Sequence, residues 1–184
     1  MGQVGLDDRG VWDRDLLAHH YIAWSELIGY TLSSYQAGTV DWLSRTGRAT
    51  GPTVTLYGPN GTVISIAEAD WGMRILDVAV VKAHEVLRQR AVPCNHAPFV
   101  LGQDALSHEH MGTLPLADIE AVTLDSSYEL VIRKRGLIWI KLGLGQVNNG
   151  LLLVEWLAER GVNVLVDRDA PIPPPVRHYL ATIV

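Results

Sequence analysis

Cysteine is almost missing from this chain. Its 184 residues include one, Cys94, so no disulfide can form within it, and a lone thiol suits a reducing compartment. Net positive charge is missing as well. The formal charge is −5, which argues against nucleic acid, because phosphate binding needs a concentrated basic face. Divided between residues 93 and 94, the first half sets eight cations against ten anions and the second seven against ten, so neither is a basic module. Long apolar runs are also lacking. Lys82, Lys141 and Glu155 interrupt the best of them, leaving segments too short to span a bilayer. The opening MGQVGLDDRG is acidic, without the apolar stretch of a signal peptide, and Leu6 stands where a myristoylation signal needs Ser or Thr. These absences lead to the expectation of a soluble, cytoplasmic protein.

What is present is material for a core. Hydrophobic residues make up 48% of the chain and charged residues 19%, too apolar for disorder and enough for one medium domain or two small ones. The most regular stretch is YELVIRKRGLIWIKLGLGQVNNGLLLVEWLAERGV, residues 128–162. Two β-rich runs, 130–132 and 137–142, flank Arg133, Lys134, Arg135 and Gly136 and read as a hairpin. After a Gly/Asn break, Leu151, Val154, Leu157 and Ala158 recur at helical spacing, and Gly161 is the expected stop.

The upstream chain reads as an altered first copy of the same unit. Trp24, Ser25, Glu26, Leu27, Thr31 and Leu32 align with Leu116, Ala117, Asp118, Ile119, Thr123 and Leu124 at an offset of 92. VTLYGPNGTVISI, residues 54–66, aligns with 129–141 at an offset of 75, placing Gly61 on Gly136. Asn60 and Gly61 supply strong turn chemistry. Asp70 is the expected N-cap of a helix whose apolar positions over 75–90 fall on most sides, which predicts burial between the copies. The second helix shows the cleaner polar face. The change of offset leaves an insertion at about 33–51, with Val40, Trp42 and Leu43 as its apolar centre. The stretch 91–98, AVPCNHAP, reads as a linker. Residues 162–166 suit one more strand, and the proline-rich tail from 167 ends in an apolar segment with Tyr179.

This order of elements resembles bacterial PH-like domains, including the GRAM type. Copy two carries the resemblance through Gln103, Asp104, Ala105 and Leu106, then Leu114, Pro115, Leu116, Ala117, Asp118 and Ile119, then the hairpin and helix. Copy one carries it through Arg9, Gly10 and Val11, then Ile22, Ala23, Trp24, Ser25, Glu26 and Leu27, and Gly61. The resemblance implies an α+β fold of two tandem PH-like units, 1–93 and 94–166, followed by the tail 167–184. Each unit would be a bent antiparallel sheet closed by a C-terminal amphipathic helix. A scaffold of this kind implies no particular ligand.

Three groups of residues are candidates for function. Val40, Trp42, Leu43 and Tyr179 are expected to contact a protein partner, with Trp42 as an aromatic anchor. Arg133, Lys134 and Arg135 form a basic tip that would suit an anionic lipid surface, or equally a solvated turn. Cys94, His96, His108 and His110 are zinc-ligand types, but their spacing matches no standard site, and no cofactor is expected. Cys94 beside His96 shows nothing like an oxyanion loop or an orienting third group, so an enzyme is not expected. Glu26 and Asp118 are expected to start bends by accepting backbone N–H groups. Trp24, Trp139 and Trp156 are expected in the core or at the contact between copies, and His84 at a polar helix edge. The sequence therefore predicts a non-enzymatic binding or scaffold module for a protein partner, with homo-oligomerisation open. A membrane-surface adaptor is the alternative, and a small metal- or thiol-dependent enzyme a distant third.

Overall fold

The computed structural model describes residues 3–14, 19–33, 52–67, 73–90, 95–170, 172, 173 and 177. The fold is α+β. Strands β1 (Gln3–Leu6), β2 (Gly10–Arg14) and β3 (His19–Ala23) make one antiparallel sheet, and β4 (Gly29–Ser33), β5 (Thr53–Tyr57) and β6 (Val63–Ala67) a second. Helix α1 (Met73–Arg88) follows. Strands β7 (Phe99–Leu101), β8 (Ala105–His108) and β9 (Gly112–Pro115) make the third sheet. The fourth contains β10 (Ile119–Leu124), β11 (Glu129–Lys134) and β12 (Leu137–Gly143). After helix α2 (Gly150–Glu159), the chain adds β13 (Val164–Val166) to it, in the order β12-β11-β10-β13. β13 lies parallel to β10 and every other pair is antiparallel. Among the described residues no sheet closes into a barrel. Where one bent sheet per unit was expected, the strands fall into two separate three-stranded sheets in the first half of the chain. In the second they form a three-stranded and a four-stranded sheet.

Local chemistry explains the turns. The β11–β12 connection is the two-residue Arg135-Gly136, with φ of 49° and 80°. Two consecutive positive φ values give a turn whose twist matches the strands it joins. Asn60 and Gly61 do the same between β5 and β6, at 57° and 75°. Helix α2 stops as expected. Gly161 takes φ 80°, its N–H donates to Ala158 O, and the Val162 N–H donates to Leu157 O. That pair of bonds satisfies the last helix carbonyls, and glycine reaches the conformation without steric cost.

The two helices reverse their expected roles. In α2, residues 150–155, 157 and 158 are buried, including Glu155 at 0% exposure. Its polar face is reduced to Glu159 and Arg160 at the end. α1 is the amphipathic helix: Leu76, Ala79, Val80, Ala83 and Leu87 are buried, while Val78, Glu85 and Arg88 face outward. α1 covers β4, β5 and β6 and touches α2, so only one side of it meets the second half of the chain. Periodicity reports the apolar residues of a helix but not what packs on each side.

One apolar cluster includes residues of all four sheets and both helices, from Val11 to Ile172. Near the C-terminal end of the linker, His96 is buried and bridges Phe99, a member of that cluster. The tail begins docked on its own chain. Ala170, Ile172 and Pro173 are buried, and Arg177 donates to the carbonyls of Asp167 and Ala170.

Asn149 ties the halves together. It is fully buried with φ 53° at the start of α2. Its N–H donates to Tyr30 O at 2.8 Å, its Oδ1 accepts the Tyr30 N–H at 2.9 Å, and its Nδ2 donates to Asn95 O at 2.7 Å. Gly29 makes room for this, since a Cβ there would lie 3.1 Å from the Asn149 side chain. Asn149→Ala leaves the buried Tyr30 N–H unsatisfied, worth about 1–3 kcal/mol, and breaks the part-buried bond to Asn95 O, worth about 1 kcal/mol. Urea unfolding should therefore show a loss of about 2–4 kcal/mol, and a variant within about 0.5 kcal/mol of wild type would contradict the clip.

Candidate functional site

Among the described residues, the candidate places for function are a buried junction, a histidine-lined cleft and the β11–β12 hairpin.

At the junction, α1 of the first half meets α2 of the second. The Tyr30 hydroxyl lies 3.1 Å from His84 Nδ1, and His84 Nε2 lies 2.7 Å from Glu155 Oε2. The second contact has ion-pair distance without good hydrogen-bond alignment. Arg88 Nε donates to Glu155 Oε1 and its far end reaches toward Glu159. His84 is 4% exposed, not at the polar helix edge that the sequence suggested. The reason lies across the structure: Glu155 needs compensation in a dry place, and His84 and Arg88, one helical turn apart on α1, supply it. These contacts join α1 to α2.

The histidines separate. His96 is 3% exposed and sits edge-on against Trp156, with ring centroids 4.9 Å apart. Burial lowers its pKa from 6.5 to about 4, against a smaller opposing effect of the Asn149 and Asn148 backbone. His108 is buried at the floor of a cleft between β8 and β12, about 390 Å³ in volume, whose walls include Pro98, Glu109, Leu142 and Asn148. Its Nδ1 accepts the His110 N–H at 3.2 Å, so in the neutral ring the proton is on Nε2. The His110 ring is exposed and stands 3.3 Å from Glu109. Among the described residues no three His, Cys, Asp or Glu side chains converge as metal ligands would. Cys94 lies outside the described residues, as do Val40, Trp42, Leu43 and Tyr179.

The hairpin keeps its three cations at one end, and acidic neighbours answer two of them. Asp118 is 3.5 Å from Lys134 and 3.4 Å from Arg135, while Glu120 accepts the Gly136 N–H. Asp118 therefore binds side chains of the tip, not the backbone N–H groups expected of it. Arg133 is exposed and makes no ion pair among the described residues. Beside it, Leu137 and Ile138 are 73% and 53% exposed. β12 is the edge of its sheet, and a register shift opposite Ile132 and Arg133 leaves Trp139 as a bulge. At the other end, Lys141 Nζ lies 2.6 Å from Glu129, whose carboxylate holds the ammonium pKa above its usual value. A cleft of about 450 Å³ opens there, with Ser33, Tyr128, Glu129, Gly143 and Gln146 in its wall.

Reading the sequence singled out the cations of this hairpin but not Leu137 and Ile138, which alternation assigned to a strand with no means of showing that the strand is an edge. Trp24 is buried as expected and donates its indole N–H to Asp7 O at 2.7 Å; Trp139 and Trp156 are half-buried. No helix among the described residues is long and apolar enough to cross a membrane.

No family model, curated protein or solved structure matches this chain.

Two outcomes test the junction and the buried ring. Glu155→Ala leaves the buried His84 without its partner and takes one of its anions from the part-exposed Arg88, at a cost of about 1–3 kcal/mol; a melting temperature near wild type would show that the pair is not holding the helices. For His96, the native state binds fewer protons than the unfolded chain between pH 6.5 and about 4. Its contribution is complete above pH 6.5, falls with the pH and is gone below about 4, a loss of about 3 kcal/mol. Replacing the ring by His96→Phe should flatten the pH dependence of unfolding over that interval; equal slopes in the two proteins would refute the assignment.

Proposed function

We propose that this chain is a non-enzymatic binding or scaffold module of two tandem PH-like units, and that its ligand is a protein. The PH-like reading is supported by an element order that occurs twice: three strands, a 3-10 turn, three strands, a helix. The turns Trp24–Glu26 and Leu116–Asp118 stand at the expected offset of 92, and Gly61 and Gly136 share positive φ. The observation that carries the binding reading is the outer edge of β12, where Leu137 and Ile138 are exposed beside Arg133 at the side of a sheet. An open edge offers main-chain groups for pairing, and neighbouring side chains select the partner. The insertion residues Val40, Trp42 and Leu43, together with Tyr179, are proposed as further contacts. A second reading, docking on an anionic membrane surface, is favoured by the same exposed apolar pair next to cations, though Asp118 answers two of those cations.

The test is capture of binding proteins from extract by the full chain, alongside Trp42→Ala and the double variant Leu137→Asp/Ile138→Asp, with melting followed in parallel. A protein other than the bait that is lost from either variant at unchanged melting supports the reading; an aromatic anchor cut to Ala costs about 2 kcal/mol or more of binding. If vesicles containing phosphatidylserine sediment the wild type but not Arg133→Glu, and no protein is captured, the membrane reading replaces it.

A further inference from the structure

The two ends of the β12 edge are opposite in character. At the Leu137 end, Arg133, Lys134 and Arg135 outnumber Asp118 and Glu120, and Leu137 and Ile138 project. At the Gly143 end, Asp125 and Glu129 outnumber Lys141, and the cleft of about 450 Å³ opens between Tyr128 and Gln146. The backbone in between is available. Leu144 N–H donates to Tyr128 O, and from that bonded pair the alternation of an antiparallel ladder turns the N–H and C=O of Gly143 and Lys141 away from β11. The Gly143 N–H is indeed engaged elsewhere, by Gln146 Oε1 at 3.1 Å. Those of Lys141 face the outer side, where among the described residues no strand pairs with β12.

Resting on the reading of this edge as a docking surface, we infer that β12 pairs antiparallel with β12 of a second copy of this chain, about a twofold axis at Ile140. A twofold contact must be self-complementary, each end meeting the opposite end of its twin. This register does that. It sets Lys141 against Trp139 of the second copy and Gly143 against Leu137, so the two lysines never stand opposite one another. It brings each basic, apolar tip to the other copy's cleft, where the charge balance has the opposite sign. An extended acidic peptide would satisfy the edge and the cations but would leave the complementarity of the far end unused. One strand pair and two tips make a small interface, and its affinity is micromolar.

Sedimentation velocity of the full chain over a dilution series should show a monomer–dimer equilibrium in the micromolar range. The double variant Leu137→Asp/Ile138→Asp should remain monomeric at every concentration with unchanged melting, since both side chains are already exposed. Hydrogen exchange gives a second readout: the Lys141 amide should slow as wild-type concentration rises, and Arg135→Glu should shift that slowing to higher concentration. A wild type that is monomeric throughout overturns the inference, as does a dimer that the double variant leaves intact, or a Lys141 amide protected only by an added acidic peptide. A monomeric wild type that captures another protein through the same edge would leave the binding reading standing and this one refuted. A dimer lost in the double variant, with no other protein captured, would do the reverse.

Discussion

The structure depends on a buried polar seam between its two halves. Asn149 bonds both main-chain groups of Tyr30, its N–H to the carbonyl and its Oδ1 to the N–H, and reaches Asn95, while the Tyr30 hydroxyl starts the series that passes through His84 to Glu155 and Arg88. Apolar contact alone is tolerant of sliding, because leucine against leucine costs little to shift. Groups that must meet a particular donor or acceptor in a dry interior are not tolerant, since a missed bond leaves the full desolvation penalty unpaid. The seam thus fixes where α2 sits on β4 and α1, and everything that α2 carries follows from that placement. The loop before it, held against β4 where Gly145 passes close to Ser33, aims the end of β12. The β13 strand after it joins the sheet beside β10.

A consequence is that the inner surfaces are occupied. The face that each half turns to the other carries Tyr30, His84, Glu155 and leucines of α2, all of them buried. Sheet edges remain outside, and among the described residues β12 is the edge on which two consecutive exposed apolar side chains, Leu137 and Ile138, stand beside cations; the edge strands β7 and β13 show one each, Val100 and Leu165. Natural sheets blunt such edges with bulges and charges, and β12 shows both devices in part, the bulge at Trp139 and the ion-paired Lys141. They bend the edge and limit what pairs with it without closing it. The PH-like reading and the edge are separate matters: the first concerns the order of elements, the second a single strand, and an error in one leaves the other as it is.

Much of the local structure was legible in the residues themselves. The hairpin of β11 and β12, its Arg135-Gly136 turn, the stop of α2 at Gly161 and the extra strand at 164–166 all follow from signals within a few positions of one another. Side-chain alternation, positive-φ tolerance and helical spacing are properties of a chain segment, so the segment alone determines them. The class, α+β with mostly antiparallel strands, follows from adding those segments together. Composition also bounded the chemistry, through one cysteine and an acidic balance.

Tertiary structure decided the rest. His84 read as a polar helix edge and Glu155 only as a break in an apolar run, because no neighbour in sequence announces a partner: Tyr30 and His84 are 54 residues apart, Arg88 and Glu155 67, Tyr30 and Asn149 119. Which helix would be enclosed was read the wrong way round, since α1 and α2 are both rich in apolar residues and only the sheets around them determine how many sides are covered. Leu137 and Ile138 have the alternation of any strand residue, and their exposure depends on β12 having no paired strand on its outer side among the described residues. Burial, polar pairing and edge position are relations between distant segments. A segment read alone contains the residues that will enter those relations, but not the geometry that pairs them.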